Sequence, residues 1–418
     1  MALLIKRRLI RFIILVIFAT LLTLTVIFHH KPTRDYLSSS LPSSADISSR
    51  LSSLNQAYIG ISSNNSPNKQ SGDSNLGVSA LDFIKHSFQN KGNRPKACFV
   101  SLVKNSELDQ MLESVEQIQL RFNNKYKYDW VFLNDKDFTD EFRHKIRESL
   151  PGINVKFGLI PVEHWSYPEY IDPEKAAETR ERMKNIIYGA SESYRFMCHY
   201  QSGYFFRHPL MADYDWYWRV EPGIKIHCDI DYDVFQWMQD HEKVYGFTIS
   251  IHEFLKTIPT LWEHSMEFFR NHPEYISDDN LMKFISDDNG KTYNLCHFWS
   301  NFEIANLNLW RSPGYLAYFD HLDRAGGFFY ERWGDAPVHS IAVSLMLPRD
   351  KVHYFPEIGY YHSPYHNCPI DKNIWSRYNC RCDPEDDFTF NPYSCGAQFY
   401  DVKELVRPAN WVEHTKFI

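Results

Sequence analysis

Glu221 closes the segment Trp216-Tyr-Trp-Arg-Val-Glu-Pro-Gly223, in which Trp216, Trp218 and Val220 alternate with Tyr217 and Arg219. Period-two alternation ending at Pro-Gly predicts a strand that runs into a turn. A carboxylate presented there suits a divalent cation over a diphosphate, because Mg²⁺ and Mn²⁺ take few protein carboxylates and complete their shells with phosphate oxygens. The competing reading is a turn-exposed Glu with no role. The Asp-x-Asp pairs Asp213/Asp215 and Asp229/Asp231 are worse placed, one before the strand and one after the turn. Glu303 lies in Phe298-Trp-Ser-Asn-Phe-Glu-Ile-Ala305, aromatic and apolar company in which a charge is costly unless paired or used. Asp335 precedes Pro337 and an apolar run over residues 336–347, and fits a helix N-cap. His362 ends a β-like run over residues 354–362. A lone imidazole is commonly a surface or core residue; near a carboxylate it becomes a candidate metal ligand.

These side chains must be positioned by alternating strands and helices. Residues 97–103 are an apolar run of strand length. Ser106 and Asp109 make a capping-box-like start, and Leu108, Met111, Leu112, Val115 and Ile118 follow at helical spacing. Residues 128–133 read as a second strand, ending at Asn134-Asp135. Strand, helix, strand predicts a βαβ unit and a parallel sheet, whose ligands lie beyond the carboxyl ends of the strands. Lys104, Asn105, Asn134 and Asp135 are thereby predicted at a nucleotide-binding edge. No Gly-x-Gly-x-x-Gly and no P-loop consensus occurs, so neither a dehydrogenase nor a P-loop enzyme is supported. One long helical stretch is expected from residue 173 to about residue 200.

The chain of 418 residues is 44% hydrophobic and 23% charged, enough apolar material for a large core. Aromatic residues reach 16%, which suits stacking on sugars as well as core packing. A net charge of -7 argues against a nucleic-acid binder. The six bases of residues 1–34 face no acid, so the acidic excess belongs to the remainder.

Residues 12–28 are uncharged and follow Lys6, Arg7, Arg8 and Arg11. About 17 apolar residues suffice for a spanning helix, and the basic flank predicts a cytoplasmic tail over residues 1–11. His29-His30-Lys31 and the lack of a nearby Ala-x-Ala argue against a cleaved signal peptide. A single-pass type II anchor is expected, with the bulk of the chain in a lumen. Residues 29–80 read as a stem: Ser supplies 15 of the 42 residues in 38–79, too polar to offset the entropy of ordering. One large domain is expected over residues 81–418.

Eight cysteines, an even count in an oxidising lumen, favour disulfides. Cys368, Cys380, Cys382 and Cys395 suggest a stapled C-terminal flap. A zinc site on Cys380 and Cys382 is the rival, weakened by the lack of a second matching pair.

Trp130-Val-Phe-Leu-Asn-Asp135, Tyr217-Trp-Arg-Val-Glu-Pro-Gly223, Asn301-Phe-Glu-Ile-Ala305, Arg332-Trp-Gly-Asp-Ala-Pro337 and Gly359-Tyr-Tyr-His362 resemble the fungal α-1,2-mannosyltransferases of glycosyltransferase family fifteen. The resemblance runs from about Arg94 to the C-terminus. It implies a GT-A-like α/β fold, a Rossmann-type mixed sheet flanked by helices, in a type II protein of the Golgi membrane. It implies GDP-mannose as donor, Mn²⁺ as cofactor, and retaining transfer to a mannose 2-hydroxyl on an O- or N-linked glycan. By motif, Glu221 and His362 would hold Mn²⁺, Glu303 would lie beneath the anomeric carbon as candidate nucleophile, and Tyr194 and Asp335 would fall at functional positions. Retention leaves two routes open, covalent attack by Glu303 or front-face delivery with the departing phosphate as base. A tethered mannose-binding protein without catalysis and a metal-dependent glycan hydrolase are the alternatives from other classes.

Overall fold

The computed structural model describes residues 92–415. The expected tail, membrane span and stem lie outside these residues. Among the described residues no helix is long and apolar enough to cross a membrane.

The described residues open with β1 (Ala97–Leu102), α1 (Leu108–Ile118) and β2 (Asp129–Asn134), the expected βαβ unit. The cap differs from expectation: Glu107, rather than Ser106 or Asp109, closes the entry to the helix by accepting the Lys104 N–H at 2.8 Å. Next come α2 (Asp140–Ser149) and β3 (Val155–Leu159). The single long helix expected after residue 173 is two, α3 (Pro173–Arg182) and α4 (Glu192–Gly203). Between them Tyr188 takes a left-handed φ of 56°, and the Ser191 hydroxyl starts α4 by accepting the Tyr194 N–H. Helical periodicity does not register such a break, because both pieces bury faces of similar pattern.

The strands β4 (Trp216–Val220), β5 (Lys225–Ile226), β6 (Tyr245–Phe247) and β7 (Ser250–His252) precede α5 (Leu261–Asn271). Then follow β8 (Cys296–Phe298), β9 (Phe302–Asn306), α6 (Pro313–Ala325) and α7 (Asp335–Met346). The chain ends with β10 (Val352–Tyr354), β11 (Tyr360–His362) and β12 (Tyr365–His366), besides short helices. The main sheet has seven strands in the order β10-β6-β9-β4-β1-β2-β3. Only β9 runs antiparallel to its neighbours. The sheet is mixed and flanked by helices, a GT-A-like α/β fold.

Burial on both faces explains why these strands read as apolar runs. Trp216, Trp218 and Val220 of β4 pack with Phe302 and Ile304 of β9 and with Met111, Val115 and Ile118 of α1. On the other face Tyr217, Tyr245 and Ala305 pack with α6 and α7. Trp218 stands 5.5 Å from the Phe99 ring and 5.3 Å from Phe302; emptying that position would cost about 3–5 kcal/mol.

The run expected over residues 354–362 is split. β10 belongs to the main sheet, whereas β11 pairs with β5 and β12 in a separate small sheet. Pro356 has no N–H to continue a ladder. Gly359, at φ 66°, passes so close to Cys228 that a Cβ there would lie 2.5 Å from the Cys228 sulfur. That glycine turns the chain and delivers His362.

Three disulfides join Cys228–Cys380, Cys296–Cys395 and Cys368–Cys382, while Cys98 and Cys198 are buried thiols. The zinc reading of Cys380 and Cys382 therefore falls, and so does pairing of all eight. Only Cys368–Cys382 is internal to the C-terminal segment. The other two tie it to the body beside β5 and β8, which fences the loop carrying His362.

Glu357, between β10 and β11, is 1% exposed. One oxygen accepts the Tyr232 hydroxyl and the other, Oε2, is buried with no partner. Burial outweighs that hydrogen bond and pushes its carboxyl up to about 7. Its folded pKa lies above the usual ~4.3, so the native state binds more protons between these values. Stability from this group therefore falls as pH rises from about 4 to 7. Glu357→Gln keeps the acceptor for Tyr232 and removes the charge. Its melting temperature should match the wild type at pH 5 and exceed it at pH 8; a gap independent of pH would contradict this.

Candidate active site

Parallel strands bring their carboxyl ends to one edge of the sheet, and the sequence candidates gather there. β1 runs into Lys104, which is exposed, and Asn105. β2 ends at Asn134, which is buried, and is followed by Asp135. Asn105 spends its amide on the neighbouring loop, donating to the Asp137 carbonyl at 2.9 Å and accepting the Thr139 N–H at 3.0 Å. It clamps the β1 and β2 loops together. The Asn134 carbonyl accepts the Ile160 N–H at 2.8 Å.

β4, beside β1, ends at Val220, so Glu221 stands at the same edge. Its Oε1 accepts the Arg219 Nε–H at 2.7 Å, and its side chain is 20% exposed. Arg219 is buried and reaches the other way to Asp335 Oδ2 at 2.5 Å. Ser300 donates to the same oxygen at 2.7 Å. Burial alone would raise the Asp335 carboxyl; Arg219, His339 and Ser300 outweigh it and hold it below the usual range. Asp335 is not the expected N-cap. Gly334 takes that position, and Asp335 opens α7 with its carboxylate turned to the arginine.

His362, brought in by β11, lies edge-on to Trp299 with ring centroids 5.3 Å apart. Its Nδ1 is buried and has no hydrogen-bond partner. Burial lowers its pKa, partly opposed by the nearby charge of Glu221, which favours the neutral ring. A neutral imidazole with an orphaned nitrogen beside a half-buried carboxylate fits a divalent cation. The Asp-x-Asp decoys are spent elsewhere: Asp229 pairs with Arg121 and Asn379, and Asp213 lies 3.8 Å from Lys156.

Glu303 is the cross-strand partner of Arg219, two residues inward from Glu221 along β4. It is 1% exposed. Its Oε1 accepts from the Tyr245 hydroxyl and from His339 Nδ1, both at 2.9 Å, and its Oε2 from the Tyr217 hydroxyl at 2.9 Å. Trp310 Nε1 donates to that Tyr217 oxygen. Tyr194, on α4, joins the other end of the site. Its ring stacks on Tyr188 at 4.6 Å and takes the Arg332 guanidinium at 5.2 Å. Burial raises its hydroxyl pKa, and the charges of Arg332, Asp335 and Glu253 act on it.

Glu221, His362, Asp335, Glu303 and Tyr194 are thus linked through shared partners, with Lys104 and Asn105 one strand along, after β1, and Asn134 and Asp135 two strands along, at the end of β2. Arg219, Ser300, His339 and Glu253 were missed by sequence reasoning. Only Arg219 carried a signal, a charge in the middle of a buried strand.

A GT-A-like sheet with acids, an imidazole and a tyrosine at its carboxyl edge defines the class, a glycosyltransferase. Residues 54–404 match the family described as glycolipid 2-alpha-mannosyltransferase, and the chain belongs to it. It is 61% identical over 332 residues to a glycolipid 2-alpha-mannosyltransferase of Saccharomyces cerevisiae, covering 79% of this chain and 75% of that one. It is 59% identical over 325 residues to the alpha-1,2 mannosyltransferase KTR1 of the same yeast, covering 77% and 82%. Among solved structures, core-mannan synthase A from Aspergillus fumigatus in its Mn/GDP form is similar at a TM-score of 0.70 and 37% identity, over 81% of this chain and 93% of that one. The mannosyltransferase Ktr4p from S. cerevisiae in complex with GDP gives a TM-score of 0.71 and 35% identity, over 81% and 87%.

Proposed function

We propose that the chain moves mannose from GDP-mannose to the 2-hydroxyl of a mannose on O- or N-linked glycans, with Mn²⁺ held by Glu221 and His362. The observation that carries the metal assignment is the orphaned, buried Nδ1 of His362 beside the Glu221 carboxylate. The chain is an α-1,2-mannosyltransferase with Mn²⁺ as its cofactor, and its relatives are of that activity. The catalytically silent and hydrolase readings have no support beside them.

A cation held by Glu221 and His362 would neutralise charge on the departing diphosphate. Arg219 holds Glu221 by Oε1, the remaining oxygen would serve the ion, and the same guanidinium fixes Asp335. Lys104, Asn105, Asn134 and Asp135 form the nucleotide edge, with Lys104 offering an exposed ammonium. Tyr194 and Asp335 flank the sugar. Glu303 contributes negative charge beneath the reacting carbon. Both its oxygens are occupied and it is 1% exposed, so the front-face route is favoured over covalent attack, which would require breaking those bonds. A tail over residues 1–11, an anchor over 12–28 and a stem over 29–80 would place the catalytic domain, residues 81–418, in the Golgi lumen; the basic flank and uncharged run support this type II arrangement.

Chelation should abolish transfer, and Mn²⁺ should restore it best among divalent ions. Full turnover in excess chelator would remove the metal role of Glu221 and His362.

A further inference from the structure

Two imidazoles and a carboxylate converge where α5 meets α6. His264 and Glu267, three residues apart, share one face of α5, and His321 comes from α6. The Glu267 Oε2 stands 3.7 Å from His264 Nδ1 and 3.8 Å from His321 Nε2. Both separations are too long for hydrogen bonds, so two nitrogens face one oxygen without closing on it. One ligand atom from each of the three residues lies within 4.8 Å of the others. Around a tetrahedral zinc ion with bonds of about 2.0–2.1 Å, ligand atoms stand about 3.3–3.4 Å apart. Small side-chain shifts would therefore complete a coordination shell.

The helices hold these side chains in register. The Ser265 and Tyr318 hydroxyls share a buried hydrogen bond of 2.8 Å between α5 and α6. The Phe268 ring lies 5.4 Å from Tyr318 and 5.7 Å from His321, and the His264 ring lies 5.7 Å from Trp333. His321 Nε2–H donates to the His264 carbonyl at 3.0 Å; binding an ion would exchange that bond for one to the metal. Side-chain exposures of 33%, 51% and 29% for His264, Glu267 and His321 leave the group open to an ion from solvent. Two imidazoles and one carboxylate suit zinc, whereas manganese prefers carboxylates, carbonyls and water.

We propose that His264, Glu267 and His321 bind Zn²⁺, with water in the fourth position, and that the ion staples α5 to α6 apart from the Glu221–His362 site.

The untagged full chain in detergent, stripped of metal and then saturated with Mn²⁺ and GDP, is titrated with Zn²⁺ by calorimetry. One zinc ion should bind at micromolar concentration or below, and zinc should raise the melting temperature by a few degrees through mass action. In His264→Ala/His321→Ala the zinc affinity should fall by at least ~100-fold, beyond the loss of an outer-shell partner. The thermal shift should vanish with it, while Mn²⁺-dependent GDP binding stays as in the wild type. Glu267→Gln keeps the size of the side chain and should weaken zinc binding in the same direction; if the double variant unfolds, this result alone decides. No zinc binding by the wild type beside saturating Mn²⁺ and GDP overturns the proposal. Wild-type zinc affinity in a folded variant also overturns it, by placing the ion elsewhere on the chain.

Discussion

Glu221→Gln should bind Mn²⁺ at least ~10-fold more weakly, the scale of disturbing a metal ligand's environment, and lose turnover by at least ~100-fold. The fold should survive. The amide oxygen still accepts from Arg219, which keeps Asp335 as its ionic partner, and a 20% exposed side chain is not a core element. His362→Ala should follow the same pattern, because its Nδ1 makes no hydrogen bond that the fold would miss. Manganese binding followed by electron paramagnetic resonance reads the effect without turnover. Wild-type affinity in both variants would sink the metal assignment.

Glu303→Gln should show a different signature, in which stability and turnover fall together. The carboxylate accepts three hydrogen bonds across its two oxygens. A glutamine presents an oxygen at one end only, so its NH₂ must face either Tyr217 or the Tyr245–His339 pair. Arg219 keeps Asp335 and Glu221 but loses a third negative neighbour. Mismatched buried partners of this kind cost about 1–3 kcal/mol, and a few degrees of melting temperature per kcal/mol follow for a domain of this size. Turnover at a temperature where the variant is folded should fall by at least ~100-fold with GDP affinity retained, if the charge acts on the transition state. Near-normal turnover in the folded variant would leave Glu303 a structural carboxylate.

The difference between these two acids was only partly legible in the sequence. Glu221 was readable because strand periodicity stops at it and Pro-Gly follows, and the structure puts it at the end of β4. Glu303 was readable as a charge in apolar company, but its three hydrogen-bond partners, Tyr217, Tyr245 and His339, all lie far along the chain, and no local pattern names them. Asp335 was misread as a cap because Pro337 and the apolar helix satisfy the local signature; Arg219, 116 residues away, outcompetes that role. The βαβ unit was plain from local periodicity. The antiparallel β9 and the detachment of β11 from the main sheet were not, since pairing partners are set by tertiary packing. Cysteine number suggested disulfides, but connectivity and the two buried thiols depend on which sulfurs the fold brings together.

The most direct test of α-1,2 transfer with retention is the product. Enzyme, GDP-mannose, Mn²⁺ and α-methyl mannoside should give a disaccharide whose nuclear magnetic resonance spectrum shows one new α-mannosyl residue on the 2-oxygen of the acceptor. A β-anomer, an α-1,3 or α-1,6 linkage, or free mannose without disaccharide would contradict the assignment.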